Sequence, residues 1–240
     1  VKDLGNKQVL GAIPLPGIFG DWTMIKCNAE LFRIATSCQS KEEARYYLCG
    51  VFVEPHGVKG VMLTATDGHR LISIYDENGF ADEKAIISLS PAALKECKAT
   101  KHSKRILVVD GANAAVHGED LEGTPGDVVA VSPKCRVDGV FPDYRRVVPK
   151  IEFTDKTRPA HFDGRLLSTF CDIAADLMKE KGERTKPLVR VLGDVDSPAV
   201  VLFANDERAF GVLMPVRGAG KEALPWWFST SQIEVKQAAE

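Results

Sequence analysis

Residues 60–75, GVMLTATDGHRLISIY, decide how this chain is read. Two runs rich in β-branched residues, 60–65 and 71–75, flank Thr66, Asp67, Gly68, His69 and Arg70. Asp67 and Gly68 carry turn chemistry, so the stretch is a β-hairpin. Upstream, a short strand at 23–27 leads through Asn28, a good N-cap, into a helix with Leu31, Ile34, Ala35 and Cys38 on one face. The aromatic, β-branched run 45–53 is expected as a further strand.

The same order recurs downstream. A strand at 85–89 precedes Ser90 and Pro91, which read as N-cap and first residue of a helix running to about Lys101. Strands at 106–109, 114–117 and 128–132 follow. A third round opens with a strand at 159–162 and a cap at Asp163. Leu166, Leu167, Phe170, Cys171, Ala174, Leu177 and Met178 then form a helical stripe ending at Gly182. Strands at 188–192, 200–204 and 209–214 complete it. Three strand, helix, strand, strand, strand units are a repeat of architecture, and their alternation predicts an α+β fold with antiparallel sheets and helices on one face.

Composition narrows the class. With 240 residues, 45% hydrophobic and 27% charged, the chain is an ordinary globular protein. Its 31 basic and 33 acidic residues argue against a protein that coats nucleic acid over its whole surface, and leave room for a local basic face. Six cysteines, no two closer than eleven residues, give neither metal spacing nor a disulfide framework, so buried reduced thiols and no metal or cofactor are expected. The apolar stretch 9–19 is broken by Gly11, Pro14, Pro16 and Gly17, and no signal peptide or membrane helix is read; the cytoplasm is the expected location. The segment 139–157 is the best boundary. It divides the chain into an arm (1–21), a two-unit domain (22–148), a single unit (149–217) and a tail (218–240). A lone unit is a marginal core and calls for packing against the arm, the first domain or another chain.

Four segments, RYYLCG (45–50), ATDGHRL (65–71), DGVFPDYRRVVP (138–149) and VLMPVR (212–217), resemble in order and spacing segments of the bacterial DNA polymerase III beta subunit, the sliding clamp. The resemblance implies the DNA-clamp fold, with 22–148 like the family's middle domain and 149–217 like the second half of its last domain: a shortened variant. It implies a processivity factor that binds double-stranded DNA through phosphates, without sequence preference, and takes up DNA polymerase and clamp-loader peptides. A homo-oligomer is implied too, since three units per chain would need four chains to reach the family's ring of twelve.

By the same resemblance, apolar Leu48, Leu71, Pro142, Val147, Val212, Leu213, Met214, Pro215 and Val216 converge on a peptide-binding groove. Thr66, Gly68, His69, Arg70, Arg146 and Arg217 form its polar rim. Met and Pro surfaces adapt to several apolar anchors. From the chemistry alone, the same residues equally read as a hairpin closing and two domains packing. Lys95, Lys98 and Lys101, at spacing three on the second helix, with Lys104 and Arg105 after it, form a stripe that would follow a phosphate backbone or simply a solvated helix face. Arg45, Tyr46 and Tyr47 are further DNA-facing candidates by family analogy. The other helices are less basic: Arg33 stands against Glu30, and the third carries Asp172 and Asp176.

Catalysis finds little support. Asp67 and His69 pair an acid with an imidazole, but no activated Ser or Cys at motif spacing accompanies them. Residues 218–221, GAGK, fail the P-loop pattern because Glu222 follows Lys221 and Pro215 stands five before Gly220. Trp226, Trp227 and Phe228 in the tail are an interface candidate. Two alternatives to the processivity factor stand: a non-encircling clamp relative acting as peptide-binding adaptor or competitor, and an unrelated enzyme.

Overall fold

The structure, a computed structural model, describes residues 23–99, 104–120, 123–149, 160–193, 197–204 and 206–216; the expected arm and tail lie outside them. The first unit comprises β1 (Met24–Asn28), α1 (Ala29–Ala35), β2 (Val51–Pro55), β3 (Val61–Thr66) and β4 (Arg70–Asp76), followed by the short β5 (Phe80–Ala81). The second comprises β6 (Ala85–Ile87), α2 (Pro91–Glu96), β7 (Arg105–Asp110), β8 (Asn113–Glu119) and β9 (Pro125–Ser132), with the short β10 (Arg136–Val137). The third comprises α3 (Gly164–Lys181), β11 (Val189–Leu192), β12 (Ala199–Phe203) and β13 (Ala209–Leu213).

The helix starts follow from local chemistry. Asn28 Oδ1 accepts the N–H groups of Glu30 and Leu31, Ser90 accepts that of Ala93 ahead of Pro91, and Asp163 accepts that of Arg165. Gly182 ends α3 in the left-handed conformation. All pairing is antiparallel, in two sheets: β5-β1-β7-β8-β9 and β10-β6-β2-β3-β4-β13-β12-β11. Each of the first two units lends its opening strand to the other, since β1 pairs with β7 and β6 with β2. The third unit joins the first by the β4–β13 ladder, which carries one sheet across the segment 139–157.

The core lies between the sheets and under the helices, and includes Ile25, Phe32, Ile34, Leu63, Ile72, Leu107, Phe170, Ile173 and Leu177. α1 packs on α3, β3, β4 and β7. A Cβ at Gly211 would run into the Phe170 ring, so glycine lets α3 lie close on β13. Charge joins the same elements. The Arg33 guanidinium donates to Glu30 at 2.8 Å and to Asp176 of α3 at 2.7 Å. Asn28 and Arg208 both donate to Glu180, each at 2.9 Å.

Four expectations are corrected. Residues 43–48 form a 3₁₀ turn, not the start of a strand, because i,i+3 closures (Cys49 N–H to Tyr46 C=O, Arg45 to Glu42) satisfy the backbone locally. The second helix stops at Glu96, short of Lys101. Buried Cys97 holds the chain to the core, and the Ala99 N–H donates to the Glu30 carboxylate at 2.6 Å instead of continuing the helix. Residues 160–162 are not a strand, and Pro159 lies outside the described residues. Opening strands here are completed by a partner unit, and both sides of β13 are taken by β4 and β12. Cys171 is exposed, and Ile173 takes the place expected for it in the buried stripe. Cys27, Cys38, Cys97 and Cys135 are buried and free, and Cys49 is half-buried.

Candidate functional site

On the face of the eight-stranded sheet opposite the core, a second apolar cluster gathers Leu48, Leu71, Ile86, Phe141, Tyr144 and Val212. Its floor is set by register. Thr66 of β3 stands opposite Leu71 of β4, and Leu71 opposite Val212 of β13, so three side chains form one cross-strand row. The row opens into a cavity of about 170 Å³. Cavities for drug-sized ligands run to about 300–1,000 Å³, so this one suits one or two apolar side chains.

Four segments wall it. The hairpin turn contributes Gly68 and His69, and the 3₁₀ turn at 43–48 contributes Leu48. Gly68 has φ +91, a left-handed conformation that favours glycine, and the Arg45 guanidinium lies over it. Met214 continues the outward face of β13 past its end, where its N–H donates to the His69 carbonyl at 3.0 Å. Opposite stand Pro142 and the 3₁₀ turn Tyr144–Val147. Val147 and Met214 keep 42% and 39% of their surface exposed, so the groove is apolar and open to solvent.

Ten of the residues expected at a groove therefore meet here: Leu48, Thr66, Gly68, His69, Arg70, Leu71, Pro142, Val147, Val212 and Met214. Leu213 does not, because strand side chains alternate and it is fully buried in the core on the other face. Arg146 points to solvent and pairs with Asp143 at 3.1 Å, outside the lining. Pro215 and the exposed Val216 lie beyond the pocket, the Val216 N–H donating to His161 C=O, and Arg217 lies outside the described residues. Asp143 and Tyr144 line the groove without having been singled out; Phe141 and Tyr144, three apart between Gly139 and Pro149, were the signal available.

Polar contacts hold the walls. Asp67 accepts the N–H groups of His69 and Arg70, and its carboxylate takes the Arg70 guanidinium at 3.0 Å. Arg70 also donates to Thr169 of α3, so it ties the hairpin to the third unit and is not a free rim cation. Glu54, buried on β2, accepts the Tyr144 hydroxyl at 2.7 Å and Arg145 at 2.6 Å. Burial raises the Glu54 carboxyl pKa, but these two hydrogen bonds and the nearby cations outweigh it and hold it below the ordinary value. Burial and the same carboxylate push the Tyr144 phenol up.

The DNA-facing candidates lie on several different elements. Lys95 on α2, Lys98 in the turn after it, and Lys104 are exposed, Arg105 is half-buried, and Lys101 lies outside the described residues. The helical stripe is therefore not formed as expected. Arg45 pairs with Glu42 at 2.8 Å, and Tyr46 and Tyr47 meet edge to face at 5.8 Å. Among the described residues no group of three or more His, Cys, Asp or Glu is placed to hold a metal, and no helix is long and apolar enough to cross a membrane.

Comparison with known proteins places this architecture. No family model matches the chain. It is 30% identical over 156 residues to the beta sliding clamps of two Caulobacter vibrioides strains, an alignment covering 61% of this chain and 38% of theirs. The matched stretch thus spans well under half the length of these relatives. Among solved structures, it is similar to the DnaN sliding clamp (DNA polymerase III subunit beta) of Bartonella birtlesii bound to griselimycin, with TM-score 0.52 and 21% identity over 86% of this chain and 68% of that one. It is similar also to the Pseudomonas aeruginosa polymerase sliding clamp, with TM-score 0.53 and 20% identity over 87% and 70%.

Proposed function

We propose, from the premise that this chain has the DNA-clamp fold and is similar in sequence to bacterial beta sliding clamps, that it is a non-catalytic, cytoplasmic DNA polymerase processivity factor. Its groove captures short apolar segments of the polymerase and the clamp loader. One observation carries this reading: the row Thr66, Leu71 and Val212 and the open wall of Met214 and Val147 make an apolar cleft of side-chain size at the joint of two units. Such a cleft accepts anchor residues of an extended peptide.

The wider reading is of a clamp built from a two-unit domain and a single unit, divided near residue 148. Exposed Lys95, Lys98 and Lys104 give phosphate contacts, and Arg45, Tyr46 and Tyr47 extend them. Among the described residues β9 and β11 are edge strands of the two sheets, and exposed Val128, Val129 and Val131 on β9 support a homo-oligomer. A second reading, an adaptor that presents or competes for clamp-binding peptides without encircling DNA, draws on one feature: Arg33 is engaged by Glu30 and Asp176, while Asp172 is exposed on α3.

The test is fluorescence anisotropy with a labelled pentapeptide carrying leucine and phenylalanine, with griselimycin as competitor. Binding at micromolar strength, about 8 kcal/mol, that Met214→Ala weakens supports the groove. Absence of binding up to millimolar peptide overturns it. Solution mass and salt-dependent duplex binding separate the ring from the adaptor: a monomer that ignores duplex DNA excludes the ring.

A further inference from the structure

We propose that Glu54, which does not line the groove, is the residue that positions the groove's outer wall, acting through Tyr144 and Arg145; this rests on the peptide-binding reading above. The turn Tyr144–Val147 is four residues of 3₁₀ helix with no side-chain cap, and such a turn does not hold its own orientation. It needs fixed points on the sheet beneath it, and β2 supplies two. Phe52 and Glu54 are two apart on β2 and so point to the same outward face, away from core residues Val51 and Val53.

Phe52 stacks on Phe141 with ring centroids 4.8 Å apart and planes 2° from parallel. A stacked pair fixes height above the sheet and leaves the following residues free to swing. Glu54 removes that freedom. Its side chain is 2% exposed and receives the Tyr144 hydroxyl at 2.7 Å and the Arg145 guanidinium at 2.6 Å, with Lys84 at 3.5 Å. Charge-assisted hydrogen bonds are directional, where an apolar residue on β2 would only fill space. They fix the Tyr144 ring against the floor, and Val147, one 3₁₀ turn later, follows. Another ion pair in the segment, Arg146 with Asp143, is exposed and lies within it, so it cannot anchor the turn to the sheet.

The experiment measures peptide affinity and thermal midpoint for Glu54→Gln, Tyr144→Phe and the double variant, with Met214→Ala as the control that touches the occupant directly. Tyr144→Phe keeps the ring in the groove and removes only the hydroxyl. Each single variant is expected to weaken binding about fivefold to tenfold, and the double less than the product of the two, because both act on the Tyr144–Glu54 link. Should Glu54→Gln fail to fold, the loss in Tyr144→Phe alone decides. Wild-type affinity in the singles, or losses that multiply in the double, overturns the positioning role while a weakened Met214→Ala leaves the groove standing. If Met214→Ala is silent too, the groove reading falls and this proposal with it.

Discussion

Leu71 and Val212 lie directly opposite each other in the β4–β13 ladder. The third unit's contribution to the groove is therefore fixed by backbone hydrogen bonds, not by side-chain packing alone. The same ladder carries Leu213 opposite Arg70 on the other face, where it enters the core.

Adjacent residues of one strand should consequently behave in opposite ways. Leu213→Ala leaves a cavity in the core and is expected to cost about 2–5 kcal/mol of stability. Met214→Ala should cost under about 1 kcal/mol while weakening peptide binding about tenfold. Urea denaturation and anisotropy on the two variants give both numbers.

Gly211→Val drives a side chain into the Phe170 ring. Overpacking of this kind costs about 1–3 kcal/mol or more, and here it would part α3 from β13. A lower urea midpoint is expected, with Phe170→Leu in the same background restoring part of the loss. An unchanged midpoint would place α3 elsewhere.

Arg33 and Asp176 differ in what they leave behind. Removing Arg33 leaves the Glu30 carboxylate, 7% exposed, with the Ala99 N–H but without its cation, so Arg33→Met should cost about 1–3 kcal/mol. Asp176 is 38% exposed, so Asp176→Ala should cost under about 1 kcal/mol. Equal losses would contradict this assignment.

Acid should act through Asp206. Burial raises its pKa, but Arg208 and Lys181 outweigh this and hold it below the ordinary 3.8. A carboxyl lowered on folding contributes stability above its unfolded pKa, and loses it as pH falls through the folded one. Asp76 runs the other way, since burial raises it, and its contribution falls as pH rises from 3.8 to its folded value. Asp206→Asn is expected to flatten the fall in thermal midpoint below about pH 4. A wild-type acid limb in that variant would refute the assignment.

Cysteine reactivity should rank by burial. Iodoacetamide at pH 8 is expected to label exposed Cys171 first and half-buried Cys49 more slowly. Native Cys38 and Cys97 should stay unlabelled, their thiols pushed up to about 12 by burial. Peptide mass mapping reads the order directly.

Much of this architecture was legible because its signals are local. Asn28, Ser90, Asp163 and Gly182 act within a few residues of themselves, and the hairpin at 66–70 is written in Asp67 and Gly68. The groove residues were legible through resemblance in four short segments, but a contiguous run such as 212–217 hides the two-residue period that separates Val212 and Met214 from Leu213. Aromatic propensity at 45–48 lost to local 3₁₀ closures while 51–53 kept their strand, and the length of α2 was decided by Glu30, distant in sequence, taking the Ala99 N–H.

The sequence by itself determined the three units, their caps, their hairpin and which side chains are apolar, because these depend on neighbours within one turn or one strand. Only the tertiary structure decided which strands pair across units, that Arg70 is engaged by Thr169, that residues 160–162 find no ladder, and that Glu54 lies beneath Tyr144. Those outcomes depend on groups as far apart in sequence as Leu71 and Val212, whose meeting is set by sheet register and burial, and no local pattern encodes them.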